Sequence, residues 1–173
     1  TTEKRFAATK DVAPIKGVAN IGFNRSVSGT LELLPLEFKD ATNSVNFSGM
    51  KLDFFNTAKG EEIKVDGYMD AFKISLVDPK GAPFQAELNG LTLASNLSKT
   101  NFGFYIGKNT VGLSNSKFTF GPQQAVLNIK GFEQKDSSDT QEKKIKNSVE
   151  YKISEITYQG KPVGGAAMEK KKK

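Results

Sequence analysis

Three segments of the sequence align at one fixed spacing: Val45-Asn46-Phe47-Ser48-Gly49-Met50-Lys51-Leu52, Ala86-Glu87-Leu88-Asn89-Gly90-Leu91-Thr92-Leu93 and Leu127-Asn128-Ile129-Lys130-Gly131-Phe132. Their glycines stand at 49, 90 and 131, so both intervals are 41 residues. A chain repeating at such a period is assembled from copies of one small unit that buries its apolar face only beside its neighbours. A fourth, incomplete copy follows, because Ile153-Ser154-Glu155-Ile156-Thr157-Tyr158-Gln159-Gly160-Lys161-Pro162 resembles Ile74-Ser75-Leu76-Val77-Asp78-Pro79-Lys80-Gly81-Ala82-Pro83.

Within each copy apolar and polar residues alternate, which is the pattern of a strand with one buried face. Phe72, Ile74 and Leu76 share a face, as do Phe84, Ala86 and Leu88, and Phe102, Phe104 and Ile106. The phase slips at the repeat glycine: Leu88 is followed by Leu91 and Leu93, and Phe47 by Met50, Leu52 and Phe54. One added residue at a glycine is what a β-bulge supplies, since glycine accepts positive φ and the bulge bends the strand while restoring its apolar face. The alternative is that Gly49, Gly90 and Gly131 each end one strand and start another.

Turn-forming residues cluster at Asp40 to Ser44, Asn56 to Glu62, Asp78 to Pro83, Gly121 to Gln123 and Gln159 to Pro162. Connections this short join antiparallel neighbours and leave no room for crossover helices. The expected fold is all-β: a long-stranded, strongly twisted antiparallel meander of about eight strands. Residues 1–25 read as a lead-in segment with one short strand near Val18 to Phe23, 26–168 as a single repeat-built domain, and 169–173 as a disordered lysine tail. Residues 134–147, QKDSSDTQEKKIKN, are polar throughout and read as a mobile loop.

The chain has no Cys, His or Trp, which removes thiolate and imidazole chemistry and most transition-metal ligation. No cofactor is expected. The net charge of +6 falls to +2 without the Lys170 to Lys173 run, and Lys143, Lys144 and Lys146 follow Asp136, Asp139 and Glu142 without interleaved aromatics. A nucleic-acid partner is therefore not expected. No apolar run approaches the roughly 18 residues of a membrane span, and the opening TTEKRFAATK has no apolar signal core. The absent initiator Met and the lysine end suggest a mature or excised piece of a longer chain.

Glu32, Glu37, Asp53, Asp66, Asp70, Asp78 and Glu87 occupy polar strand positions or turns, where solvation accounts for them, and no nucleophile-elbow, P-loop or dinucleotide fingerprint occurs. Asp66, Gly67 and Asp70 lack the further oxygen ligands of a calcium loop. The distinctive inventory is thirteen Phe against four Tyr. A face bearing Phe38, Phe47, Phe54, Phe72, Phe84, Phe104, Phe118 and Phe120 has no polar handle and must be covered by something apolar. Two solutions remain open: a closed sandwich or barrel, or an open half-pipe whose Phe-lined face holds acyl chains or another protein part.

The segment Ser28-Gly29-Thr30-Leu31-Glu32-Leu33-Leu34-Pro35-Leu36-Glu37, the glycine strand Val45 to Leu52, Gly90-Leu91-Thr92-Leu93 with Phe102-Gly103-Phe104-Tyr105-Ile106-Gly107, and the closing Tyr158-Gln159-Gly160-Lys161-Pro162-Val163-Gly164 resemble the YdgA-like family of Gram-negative envelope proteins of unknown function. The resemblance covers about residues 17 to 168. It implies a periplasmic body, tethered to the inner membrane only through an anchor in the longer parent, and brings no catalytic residues. The function expected is a non-enzymatic envelope module presenting its Phe-rich face to a lipid, to another envelope protein or to another part of the parent chain. A structural spacer or surface-exposed antigen domain, and a cryptic hydrolase using carboxylate or Ser chemistry, are the alternatives.

Overall fold

The computed structural model describes residues 13–141, 144–163 and 168–172, the side chains of residue 141 and of the last segment excepted. These residues form strands and turns without helix. The strands are β1 (Ile15–Ile21), β2 (Val27–Leu33), β3 (Leu36–Lys39), β4 (Ser44–Phe47), β5 (Met50–Asn56), β6 (Glu62–Val77), β7 (Pro83–Lys99), β8 (Tyr105–Phe120), β9 (Ala125–Gln141), β10 (Lys144–Ile153), β11 (Glu155–Tyr158), β12 (Lys161–Pro162) and β13 (Met168–Lys172). All belong to one antiparallel sheet, ordered β1-β2-β5-β6-β7-β8-β9-β10-β13 along its main path. Consecutive strands are neighbours because each turn is short, as a meander requires.

The 41-residue period is one hairpin: two strands and two turns. Successive repeat glycines therefore fall on alternate strands, in β7 and β9 and between β4 and β5. Pairing keeps a single register along each ladder. β3 and β2 pair β4 and β5 in one line, β4 and β5 both pair β6 in another, and β11 continues β10 along β9. The thirteen segments thus merge into eight long strands, β2 with β3, β4 with β5 and β10 with β11 each being one strand, flanked by the short β12 and β13.

The interruptions all lie on one row across the sheet, which the registers align as Leu34, Gly49, Asp70, Gly90, Ser114, Gly131 and Ser154. Gly49, Gly90 and Gly131 have φ of 95, 67 and 63°. Both readings of these glycines need correcting. β7 and β9 run straight through Gly90 and Gly131, so those glycines do not separate strands, while strand geometry does break between Phe47 and Met50. Nor does a bulge set two residues against one. Each of the seven strands on this row carries its extra residue there, so the register is unchanged and the local irregularities add into a crease from Leu34 to Ser154.

The two outer strands, β1 and β13, do not pair with each other, so the sheet is open and the closed sandwich or barrel is excluded. Burial agrees: among the described residues only Met69, Ala86 and Ser116 are buried. The accessible surface is 12468 Å², against about 8,300 Å² for a compact monomer of this mass.

Three segments depart from the sequence reading. The polar stretch 134–147 is not a loop over its described part: β9 and β10 pair from Glu133 opposite Lys152 to Gln141 opposite Lys144. β8 templates it, with Lys108 opposite Ser137, and main-chain bonds hold a strand that needs no apolar side chains. The segment expected to be a disordered tail runs as β13 along β10, whose unpaired edge offers N–H and C=O groups to any following chain. At the other end β1 begins at Ile15, ahead of the strand expected near Val18, because it follows β2 from Leu33 to Val27; residues 1–12 of the lead-in lie outside the described residues.

Candidate functional site: an uncovered apolar sheet face

Paired residues in a sheet share a face, so the registers assemble side chains into rows. On one side of the crease Phe38, Val45, Ile74, Ala86, Phe118, Leu127 and Tyr158 form a row across seven strands. Beside it run Leu36, Phe47, Phe72, Leu88, Ser116, Ile129 and Ile156, and then Leu76, Phe84, Phe120 and Ala125. Across the crease the apolar positions resume three residues on, at Met69 after Phe72, Leu91 after Leu88 and Leu113 after Ser116. The added residue in each strand returns them to the same side.

Six of the eight predicted Phe residues therefore converge: Phe38, Phe47, Phe72, Phe84, Phe118 and Phe120. Phe54 lies beyond the crease, opposite Gly29 and Val65, where only a glycine leaves room for its ring. Phe104 does not join the face. With Phe102 it sits in the turn between β7 and β8, where Thr100 donates its N–H to the Phe104 carbonyl at 2.7 Å and Gly103 its N–H to the Thr100 carbonyl at 2.9 Å. Alternating Phe102, Phe104 and Ile106 imitate a strand, but Gly103 with φ 84° ends the ladder. Among the described residues nothing covers the Phe face: Phe38 is 44% exposed, Phe84 38% and Phe120 39%. The Met69, Leu91, Leu113 and Phe132 row extends this surface beyond the eight Phe positions, and the phase slip from Leu88 to Leu91 is its signal in the sequence.

The opposite face is polar and ion-paired. Lys73 bridges Glu87 at 2.6 Å and Lys130 bridges Glu155 at 2.8 Å. The Lys73 ammonium, donating to Glu87, holds that carboxyl below the usual carboxylate range, with a further attraction from Lys117. Asp53 accepts from the Thr30 hydroxyl at 2.5 Å, and this bond, helped by Lys51 at 3.1 Å, holds Asp53 low as well. Asp53 lies directly opposite Asp66, and Asp70 accepts the Tyr68 hydroxyl, which raises the phenol. These carboxylates stand on an exposed, ion-paired sheet surface. No three or more His, Cys, Asp or Glu side chains could hold one metal ion among the described residues.

Hollows lined by described residues interrupt this surface. A shallow one of about 260 Å³ follows the crease between Gly90, Gly112, Gly131, Ser114 and Ser154. A larger cleft of about 570 Å³ lies at one end of the sheet, between the Phe102 turn and the hairpin of β9 and β10.

Among the described residues no helix is long and apolar enough to cross a membrane. A family model described as a bacterial protein of unknown function (DUF945) matches residues 1–171. The chain is 21% identical over 165 residues to protein YdgA of Escherichia coli strain K12, an alignment covering 94% of this chain and 33% of that protein. It thus spans about a third of the length of that curated relative. No solved structure matches.

Proposed function

Because the chain belongs to the DUF945 family of bacterial proteins, whose function is unknown, we propose a role from its own surface: a non-enzymatic cell-envelope module that shelters acyl chains on its apolar sheet face. The observation that carries the reading is the open, Phe-bearing face across seven strands, with Phe38, Phe84 and Phe120 each more than a third exposed. Contiguous apolar surface of this extent marks an interaction site. Each 100 Å² withdrawn from water by a ligand contributes about 2.5 kcal/mol before the costs of binding. Acyl chains need no hydrogen-bonding motif, which fits the three rows on the Phe side of the crease, where the polar side chains are Ser116 and Tyr158. The likeness to an envelope family suggests the periplasm, with any membrane tether belonging to a longer parent chain.

Native mass spectrometry with lipid extraction, paired with displacement of a fluorescent fatty acid, tests this. Bound lipid, and displacement abolished by Phe84→Asp with Phe118→Asp, are expected. A chain that carries no lipid and displaces nothing would leave docking of another protein, or a spacer role, as the use of the face. The hydrolase alternative is met by a screen over esters, glycosides and peptides, in which no turnover is expected.

A further inference from the structure

The cleft at the end of the sheet has a composition unlike either face. Phe102 and Phe104 are 77% and 61% exposed, and Ile106 and Ile145 stand with them. Lys99 and Lys144 enter from opposite sides, one at the end of β7 and the other at the start of β10. Among the described residues no carboxylate lines the cleft, and neither lysine is ion-paired. The turn that presents the rings is braced. Besides its two main-chain bonds, the Thr100 hydroxyl accepts the Phe104 N–H at 3.2 Å, and the Tyr105 hydroxyl donates to the Gly60 carbonyl at 2.8 Å. The aromatic pair is therefore held outward by the fold. Its volume of about 570 Å³ lies within the few hundred to a thousand Å³ of small-ligand sites.

Resting on the acyl-chain reading above, we propose that this cleft takes the charged end of a single-chain anionic amphiphile, its chain against Phe102, Phe104 and Ile145 and its carboxylate or phosphate between Lys99 and Lys144. The argument is one of complementarity. Apolar walls alone would accept any amphiphile, whereas two ammonium groups, with no acid beside them among the described lining residues, favour an anion and repel a cation.

The test displaces the neutral probe N-phenyl-1-naphthylamine from the 173-residue chain with three amphiphiles of equal chain length: dodecanoate, dodecyl maltoside and dodecyltrimethylammonium. Acetate serves as the chainless anion. Dodecanoate is expected to displace at about tenfold lower concentration than the cation, the scale of one charge-assisted contact, and acetate not at all. Lys99→Gln with Lys144→Gln should remove the preference while leaving displacement by the maltoside unchanged, with an unaltered circular dichroism spectrum. Equal displacement by all three in the parent chain, or a preference surviving in the double variant, would overturn the charged-end site yet leave acyl binding standing. Displacement by none overturns both, and displacement by acetate assigns the cleft to small anions instead.

Discussion

At the scale of single residues the crease depends on glycines facing small partners. A Cβ built on Gly90 collides with the Ser114 hydroxyl, and one on Gly131 with that of Ser154, while both backbones hold positive φ. Steric and conformational costs thus coincide. Gly90→Val is expected to lower stability by more than about 1 kcal/mol, the whole range of ordinary strand propensity, read as the urea midpoint. An unchanged midpoint would mean that the crease accepts a side chain. Charge supplies a second expectation at this scale. Glu87, Asp53 and Asp40 all titrate below their ordinary values, Asp40 because it accepts the N–H groups of Thr42 and Asn43. A depressed folded value means that stability is present above the unfolded carboxylate range, near pH 4, and is lost as the pH falls through the folded values. The melting temperature should therefore be lower at pH 3 than at pH 7, with the loss lying below pH 4 rather than between 5 and 7.

Among the elements, the hairpin of β9 and β10 separates two sources of strand stability. Its distal half carries Ser137, Ser138 and Asp139 against Ser148, Asn147 and Lys146, with Thr140 against a half-exposed Ile145, and buries little. What fixes β9 there is a main-chain ladder on both sides, to β8 through Lys108 opposite Ser137 and to β10 through Ser148 opposite the same residue. Hydrogen exchange should accordingly show protected amides through Ser137, whereas those of Asn101 and Phe102, in the turn between β7 and β8 and without a main-chain partner in the sheet, exchange fast. Equal exchange in both segments would return the polar stretch to the loop read from its composition.

For the molecule as a whole, an open sheet changes the thermodynamics of unfolding. Surface already exposed in the native state cannot be exposed again, and with 12468 Å² accessible the gain on unfolding is smaller than for a compact domain of equal length. The urea m-value, which scales with that gain, and the heat-capacity increment should both fall below those of compact proteins of this size, for which the latter is about 12 to 15 cal/mol/K per residue. Calorimetry and urea titration check this. Saturation with a bound amphiphile should raise both, because the ligand's departure adds exposed apolar area.

Local pattern in the chain carries the all-β class, the 41-residue period and the apolar face, because alternation and turn chemistry are local: Phe72, Ile74 and Leu76 share a side whatever surrounds them, and Asp78 to Gly81 turns for its own reasons. It located the crease glycines as well, through the phase slip after Leu88. It could not place Asp70, Ser114 and Ser154 on the same row, since that alignment is a property of register between strands. Nor could it separate Phe104, which alternates like a strand residue, from the face it seemed to extend; the Thr100 bonds and the positive φ of Gly103 decide that. Whether the Phe face closes on itself was also undecidable from local pattern, as a barrel and an open sheet alternate alike. Only the tertiary structure, in which β1 and β13 remain apart at opposite edges, leaves that face uncovered, because closure depends on the summed bend and twist of all the strands and on no single one.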